Sequence, residues 1–226
     1  MGKSKSQNTT TPSDPLDIPV ENEISQEEFL NMQLERAGIP KKYRRASWDD
    51  FLFHFDQPEM VKTDPGRKLS MRLERFSIWR GREDEGVLVF LTGKPGCGKT
   101  HLACATIRRW VESGRRDARF TVAGEFLAEM KQGFKDGTAG HTMRLVQGAK
   151  LLVLDDLGSE MATDWVRDTM YMLINYRLNH LKPTVVTSNL RLGEIADTYH
   201  ARLASRFAGE FAIDMNLLPD YRLVKS

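Results

Sequence analysis

Gly93, Lys94, Pro95, Gly96, Cys97, Gly98, Lys99 and Thr100 fill every position of the pattern GxxxxGK[ST]. Glycines let a backbone curl tightly, so that consecutive N–H groups converge on one anion. The positive end of a helix following at Thr100-His101-Leu102 adds to that field. A lysine at this position reaches the β- and γ-phosphates of a nucleotide, and the threonine hydroxyl coordinates Mg²⁺. Gly93 to His101 is therefore read as a phosphate-binding loop, with Lys99 as its cation and Thr100 as a metal ligand.

Two further groups have matching chemistry. Lys150 to Gly158 reads KLLVLDDLG, an apolar run that ends in two acids. At the end of a strand, Asp155 would hold Mg²⁺ directly or through water, and Asp156 would orient and deprotonate an attacking water. Pro183 to Asn189 is another apolar run with a polar end. Asn189 could there hydrogen-bond the γ-phosphate or the lytic water, or it could simply form a turn.

Positioning these groups requires strands with loops at one edge. Val87 to Leu91 has the unbroken apolar character of a buried parallel strand. Further strands are expected near 119–122, 151–154, 184–187 and 211–215, with helical periodicity between them. Alternation at this spacing favours a doubly wound parallel sheet in three αβα layers. Right-handed crossovers would bring Lys99, Asp155 and Asn189 to the carboxyl edge.

Ahead of the core, residues 1–25 are rich in Ser, Thr, Pro, Asn and Gln and read as a flexible tail. Ser25 and Glu28 have capping-box spacing for a short helix over 26–37. A basic and aromatic arm follows, Ile39 to Phe51, which could cover a nucleotide base or touch nucleic acid. Asp64-Pro65-Gly66 reads as a turn, 68–80 as a helix and 81–86 as a charged loop. The division is thus a tail (1–25), a helix and arm (26–65) whose helix either packs on the main domain or docks on a partner, and a nucleotide-binding domain (66–226).

Composition narrows the class. Apolar residues make up 40% of the 226 and charged residues 28%, with a net charge of +2. Any nucleic-acid binding must come from a local patch rather than bulk charge. The two cysteines, Cys97 and Cys104, lack metal-ligand spacing and suggest a reducing, cytoplasmic setting. No segment has the length of a membrane span, and 1–20 lacks the apolar core of a signal peptide.

Together GKPGCGKTHLA (93–103), LLVLDDLG (151–158), TSNL (187–190), ARLASRF (201–207) and DYR (220–222) resemble the AAA+ ATPases of the DnaC/DnaI helicase-loader and IstB-like family. GIPKKYRRASWDDF (38–51) resembles the segment before their ATPase core, so the likeness covers roughly 38 to 222. The resemblance implies an AAA+ P-loop fold with a five-stranded sheet, ATP and Mg²⁺ as ligands, and hydrolysis that is slow until a partner assembles. It implies Lys99 and Thr100 as the Walker A pair, Asp155 and Asp156 as the Walker B acids, and Asn189 as sensor 1. It makes Arg206 the finger acting in a neighbouring subunit of a homo-oligomer, with Arg202 as the alternative. It places Lys131, Phe134 and Lys135 on single-stranded DNA, the alternative being a core Phe134 with solvated lysines. The implied partner is the replicative DNA helicase. Only about 20 residues follow Arg206, so little or no C-terminal lid is expected, nor the sensor 2 arginine that a lid carries. A transposition helper on duplex DNA and a non-hydrolysing ATP-dependent adaptor share these motifs.

Overall fold

The computed structural model describes residues 25–55, 63–78, 86–209 and 211–224. The tail assigned to 1–25 lies outside these residues except for Ser25, and so does the loop assigned to 81–86 except for Gly86.

Five strands pair in parallel: β1 (Leu88–Thr92), β2 (Ala118–Val122), β3 (Leu151–Leu157), β4 (Thr184–Ser188) and β5 (Ala212–Asp214). Their spatial order is β2-β3-β4-β1-β5. Side chains alternate between the two faces, as the strand period requires. Val89, Leu91, Leu151, Val153 and Val185 join one buried cluster. Phe90, Leu152, Leu154 and Val186 join the other.

The first cluster is covered by α1 (Gln26–Arg36), α2 (Trp48–Phe55), α3 (Asp64–Ile78) and α4 (Lys99–Glu112). The expected capping box closes the start of α1, where the Glu28 N–H donates to Ser25 Oγ and the Ser25 N–H to Glu28 Oε2. In the arm a 3₁₀ turn (Lys41–Tyr43) leads into α2, whose start is capped by Ser47 Oγ, 3.0 Å from the Asp50 N–H. One expectation is corrected here. Asp64-Pro65-Gly66 is not a free turn but the first turn of α3. Proline fits there because the first helical N–H groups have no partner within the helix, and Thr63 Oγ1 accepts the Gly66 N–H.

The second face carries α5 (Ala123–Asp136), α6 (Ala139–Gly148), α7 (Asp164–Asn179), α8 (Leu192–Thr198) and α9 (Ala201–Phe207). Phe207 at the end of α9 stacks on Phe90 of β1, with centroids 4.6 Å apart and planes at 3°. After β5 the described chain ends in the short α10 (Tyr221–Val224), so no helical lid follows among the described residues. The sheet with helices on both faces is the expected αβα fold.

Arg177 ties the second layer together. It is 0% exposed. Its guanidinium donates to the carbonyls of Val146, Gln147 and Ala149 at the end of α6, to Pro183 and to Thr184 Oγ1 before and within β4. A cation at a helix C-terminus is favoured by the exposed carbonyls. Burial pushes the guanidinium down to about 9, so it remains cationic at neutral pH. Arg177→Met should lower stability by about 3 kcal/mol or more, since the carbonyls are stranded without donors. Urea unfolding measures this, and an unchanged midpoint would show that the carbonyls find other partners.

Candidate functional site

The strand order explains how the site assembles. β4 lies between β1, which feeds the glycine loop, and β3, which carries the acids. The carboxyl end of β4 is therefore interposed between Lys99 and Asp155-Asp156. A cleft of ≈ 450 Å³ opens at this edge, lined by Lys99, Thr100, Asp155, Asp156, Thr187 and Asn189 among others.

The glycine loop curls back over its own lysine. Lys99 Nζ donates to the carbonyls of Gly93 (2.6 Å) and Lys94 (3.0 Å) and to Asn189 Oδ1 (2.9 Å). Gly96 and Gly98 have φ of 84° and 92°, in the left-handed region that glycine tolerates best. A Cβ at Gly96 would collide with the Asp220 carboxylate, and one at Gly98 would meet the Phe51 ring at 2.8 Å. Pro95, Gly96, Gly98, Thr100 and His101 line the cleft with Lys99. Lys94 and Cys97 serve the loop differently. The Lys94 N–H donates to Asn216 Oδ1, and the Cys97 thiol is buried beneath the loop. Burial raises the Cys97 pKa, which keeps a protonated, weakly nucleophilic thiol in place.

On the other side, β3 and β4 lose register between Leu154 and Leu157. The bulge leaves both acids at the cleft. Asp156 adopts φ of 57°, rare for a residue with a side chain. Asp155 is only 6% exposed. Thr100 Oγ1 donates to it at 3.0 and 3.2 Å, and Thr187 Oγ1 at 2.6 Å. Thr187 Oγ1 also accepts the Asp156 N–H at 2.9 Å. Asn189 Nδ2 donates to Asp156 Oδ1 at 3.1 Å. A continuous chain thus runs from Lys99 through Asn189 and Asp156 to Thr187, Asp155 and Thr100. The turn role considered for Asn189 does not account for its two side-chain bonds.

Thr187, Leu218 and Pro219 escaped the sequence reading, while the arm residues, His101 and the DYR run find definite places. Thr187 sits in the TSNL run but was not singled out. Asp50, Phe51, His101, Leu218, Pro219 and Tyr221 line an apolar slot beside the glycine loop. Phe51 and His101 stack at 6.4 Å, and His101 Nε2 lies 3.1 Å from the Ser47 carbonyl, which docks the aromatic arm on the loop helix. The Tyr221 N–H donates to the Gly96 carbonyl, and Arg222 lines the main cleft. An arginine thus reaches this cleft from the C-terminal turn.

Two predicted groups lie away from the cleft. Arg206 is exposed on α9, where it donates to Asn175 Oδ1 at 2.8 Å, and Arg202 is exposed on the same helix. Neither lines the cleft of its own chain. Lys131, Phe134 and Lys135 project from α5. Phe134 is 62% exposed, which rules out the core alternative. Its ring meets Trp165 edge-on at 6.1 Å, and Lys131 Nζ lies 5.3 Å from the same Trp165 ring. Trp165 of α7 thus belongs to this surface.

Burial raises the Asp155 pKa above its ordinary value, and the Thr187 and Thr100 hydroxyls only partly offset this. Between the ordinary and the raised value the native state binds more protons than the unfolded one. Stability therefore rises as pH falls through that window, and above it the ionised carboxylate costs stability. Asp155→Asn keeps acceptors for both hydroxyls without the charge. It should raise the unfolding midpoint of nucleotide-free protein by about 2–4 °C, roughly 1 kcal/mol, while abolishing any Mg²⁺-dependent stabilisation by ATP. Thermal scans with and without Mg²⁺ and ATP check both. A lower midpoint with the Mg²⁺ effect intact would contradict this reading.

Comparisons with known proteins agree with this geometry. A family model described as IstB-like ATP binding protein matches residues 16–206. The replicative helicase loader DnaI of Bacillus subtilis is 30% identical over 112 residues, 49% of this chain and 36% of its own length. An ATP-binding protein in an insertion sequence of Mycobacterium tuberculosis is 34% identical over 171 residues, 75% of this chain and 62% of its own length. The chain thus spans less than two thirds of either relative. Among solved structures, the crystal structure of the DnaC helicase loader superposes with a TM-score of 0.61 at 26% identity, covering 77% of this chain and 97% of that one. Among the described residues no helix is long and apolar enough to cross a membrane. Since the family match takes in the glycine loop, both acids and Asn189, the chain belongs to the IstB-like ATP-binding family, with the AAA+ P-loop fold it shares with the DnaC and DnaI loaders.

Proposed function

We propose that this chain is a DnaC-type, ATP-hydrolysing loader of the replicative DNA helicase that contacts single-stranded DNA and works in the cytoplasm. The observation that carries the reading is the pair of exposed side chains Phe134 and Lys131 around the partly buried Trp165, on the same domain as the Lys99–Asn189–Asp156–Asp155 cleft. An aromatic ring beside lysines suits a strand whose bases are unpaired, because bases stack on the ring while phosphates meet the cations.

At the nucleotide site, Lys99 would exchange its carbonyl partners for the β- and γ-phosphates, and the loop N–H groups would hold the same anion. The apolar slot at Phe51, His101 and Leu218 is placed to receive the base. Asp155 and the Thr100 hydroxyl suit Mg²⁺. They are hard oxygen donors, the carboxylate is buried without a bonded cation, and nucleotide phosphates ordinarily complete such a site. When bound, the ion supplies charge neutralisation between the phosphates. Asp156, held by Asn189 and by its own N–H on Thr187, takes the proton of the attacking water. Asn189 bridges Lys99 and Asp156, so a γ-phosphate entering between them would compete for its amide. Arg206 faces solvent and serves the site of a neighbouring copy, which makes hydrolysis depend on homo-oligomer assembly.

A second reading is a transposition helper on duplex DNA. The 34% identical relative from an insertion sequence favours it. Recovery of a replicative helicase from the host in an ATP-dependent pull-down would support the loader, and recovery of a transposase would replace it.

Two measurements follow. Phe134→Ala should weaken binding of single-stranded DNA by about tenfold, the value of one stacked base, and leave ATP binding unchanged. Equal affinity would remove α5 from the DNA surface. Mixing two inactive variants, Arg206→Ala and Lys99→Met, should restore part of the ATP turnover, because a Lys99→Met copy supplies Arg206 to the intact loop of an Arg206→Ala neighbour. No recovery on mixing would mean that each site is complete within one chain.

A further inference from the structure

A second groove, of ≈ 530 Å³, lies at the sheet edge opposite the nucleotide cleft. Its walls are the end of α1, the end of α4, the start of β2 and the end of α6. Arg36, Arg116, Arg119 and Arg144 line it, against the single carboxylate of Asp117. None of the four forms an ion pair with a described residue. Arg116 lies instead over the Phe29 ring, 5.6 Å from its centroid.

A chain with a net charge of +2 has no general surplus of cations, so this is a local concentration. Four guanidinium groups around one groove repel one another, and among the described residues lining it only the Asp117 carboxylate offsets them. Gln33 provides an independent sign. It forms part of the same wall and is 9% exposed, yet its side-chain amide has no hydrogen-bond partner among the described residues. Buried amides are nearly always satisfied, so this one takes its partner from what fills the groove, solvent or a polar ligand.

We infer that this groove binds the phosphate backbone of a nucleic-acid strand, at a surface separate from both α5 and the nucleotide cleft. Planar guanidinium forks match phosphate oxygens two at a time. Gln33 adds a neutral donor of the kind used on phosphate or sugar. An acidic protein segment is the poorer fit. Protein interfaces are anchored by buried apolar and aromatic side chains, and among the described residues the only large apolar side chain exposed in this groove is Leu145. β2 runs from the groove at Ala118 and Arg119 to the cleft at Phe120 and Val122, so the two sites are about one strand length, roughly 13 Å, apart. A strand held here would continue the path of nucleic acid beyond α5, a placement that rests on the nucleic-acid part of the proposed function.

The test uses the full chain with Mg²⁺ and ATP. Fluorescence anisotropy with labelled oligothymidine and with a duplex of equal length is recorded across a salt series. Arg116→Gln/Arg144→Gln should weaken binding of at least one oligonucleotide about tenfold or more. Its log–log salt slope should shrink by about 0.7 per lost contact for the single strand or about 0.9 for the duplex. Which oligonucleotide responds identifies the strand form. Arg116→Lys/Arg144→Lys should keep most of the slope. Unfolding midpoint and ATP affinity establish that the variants are folded. Should the double variant fail this check, each single variant reads the same slope with about half the change. Unchanged affinity and slope for both oligonucleotides, with Phe134→Ala still weakening single-strand binding, would overturn this inference and leave the proposed function standing. The same unchanged result with lost binding of a poly-glutamate peptide would assign the groove to an acidic protein segment instead, and also overturn it. Wild-type protein that binds neither oligonucleotide would overturn the inference and the nucleic-acid part of the proposed function together.

Discussion

A carboxylate sealed beneath the end of a β-sheet is the constraint on which this structure depends. Asp155 is 6% exposed, and its nearest hydrogen-bond donors are two threonine hydroxyls rather than a cation. Burying that charge is costly unless something compensates. The fold supplies partial compensation from two directions, with Thr100 arriving from the helix after β1 and Thr187 from the adjacent strand β4. A bound cation would supply the rest. The site is thus assembled around an electrostatic deficit, and strand order decides which residues can reach it.

The same order explains Asn189. Because β4 separates the glycine loop from the acids, one side chain at its end can touch Lys99 on one side and Asp156 on the other. The loop is held from above as well. Asn216, Asp220 and Tyr221 engage Lys94 and Gly96, so the chain after β5 rests on the phosphate cradle. Phe207 stacked on Phe90 fixes α9, and with it Arg206, to the strand that feeds the glycine loop. A displacement of that strand end would be felt on the surface that carries Arg206.

Local signals made part of this legible. The glycine loop and the acids of β3 could be read because their chemistry needs fixed residue types at fixed spacing next to an apolar strand. Ser25 and Glu28 were readable for the same reason. Other features depend on residues far apart in sequence. Thr187 looks like any polar strand end until the bulge in β3 brings Asp155 and Asp156 beside it. Arg177 reads as a helix-surface arginine until the ends of α6 and α7 meet around it. Arg36 and Arg144, far apart in the chain, share a groove only once α1 and α6 are packed. Asp64-Pro65-Gly66 misled because proline and glycine serve turns and first helical turns alike, and only the Thr63 cap separates the two. Exposure of Phe134 was open because its apolar neighbours on α5 are buried, and helical periodicity does not resolve the last turn of a helix.

The most direct measurement is calorimetric titration of ATP into the full chain with and without Mg²⁺, for wild type and for Lys99→Met. Saturable binding by wild type that tightens at least tenfold with Mg²⁺, and its loss in a folded Lys99→Met protein, is the expected result. Equal ATP affinity in both proteins, or affinity indifferent to Mg²⁺, would contradict a site built on Lys99, Thr100 and the buried Asp155.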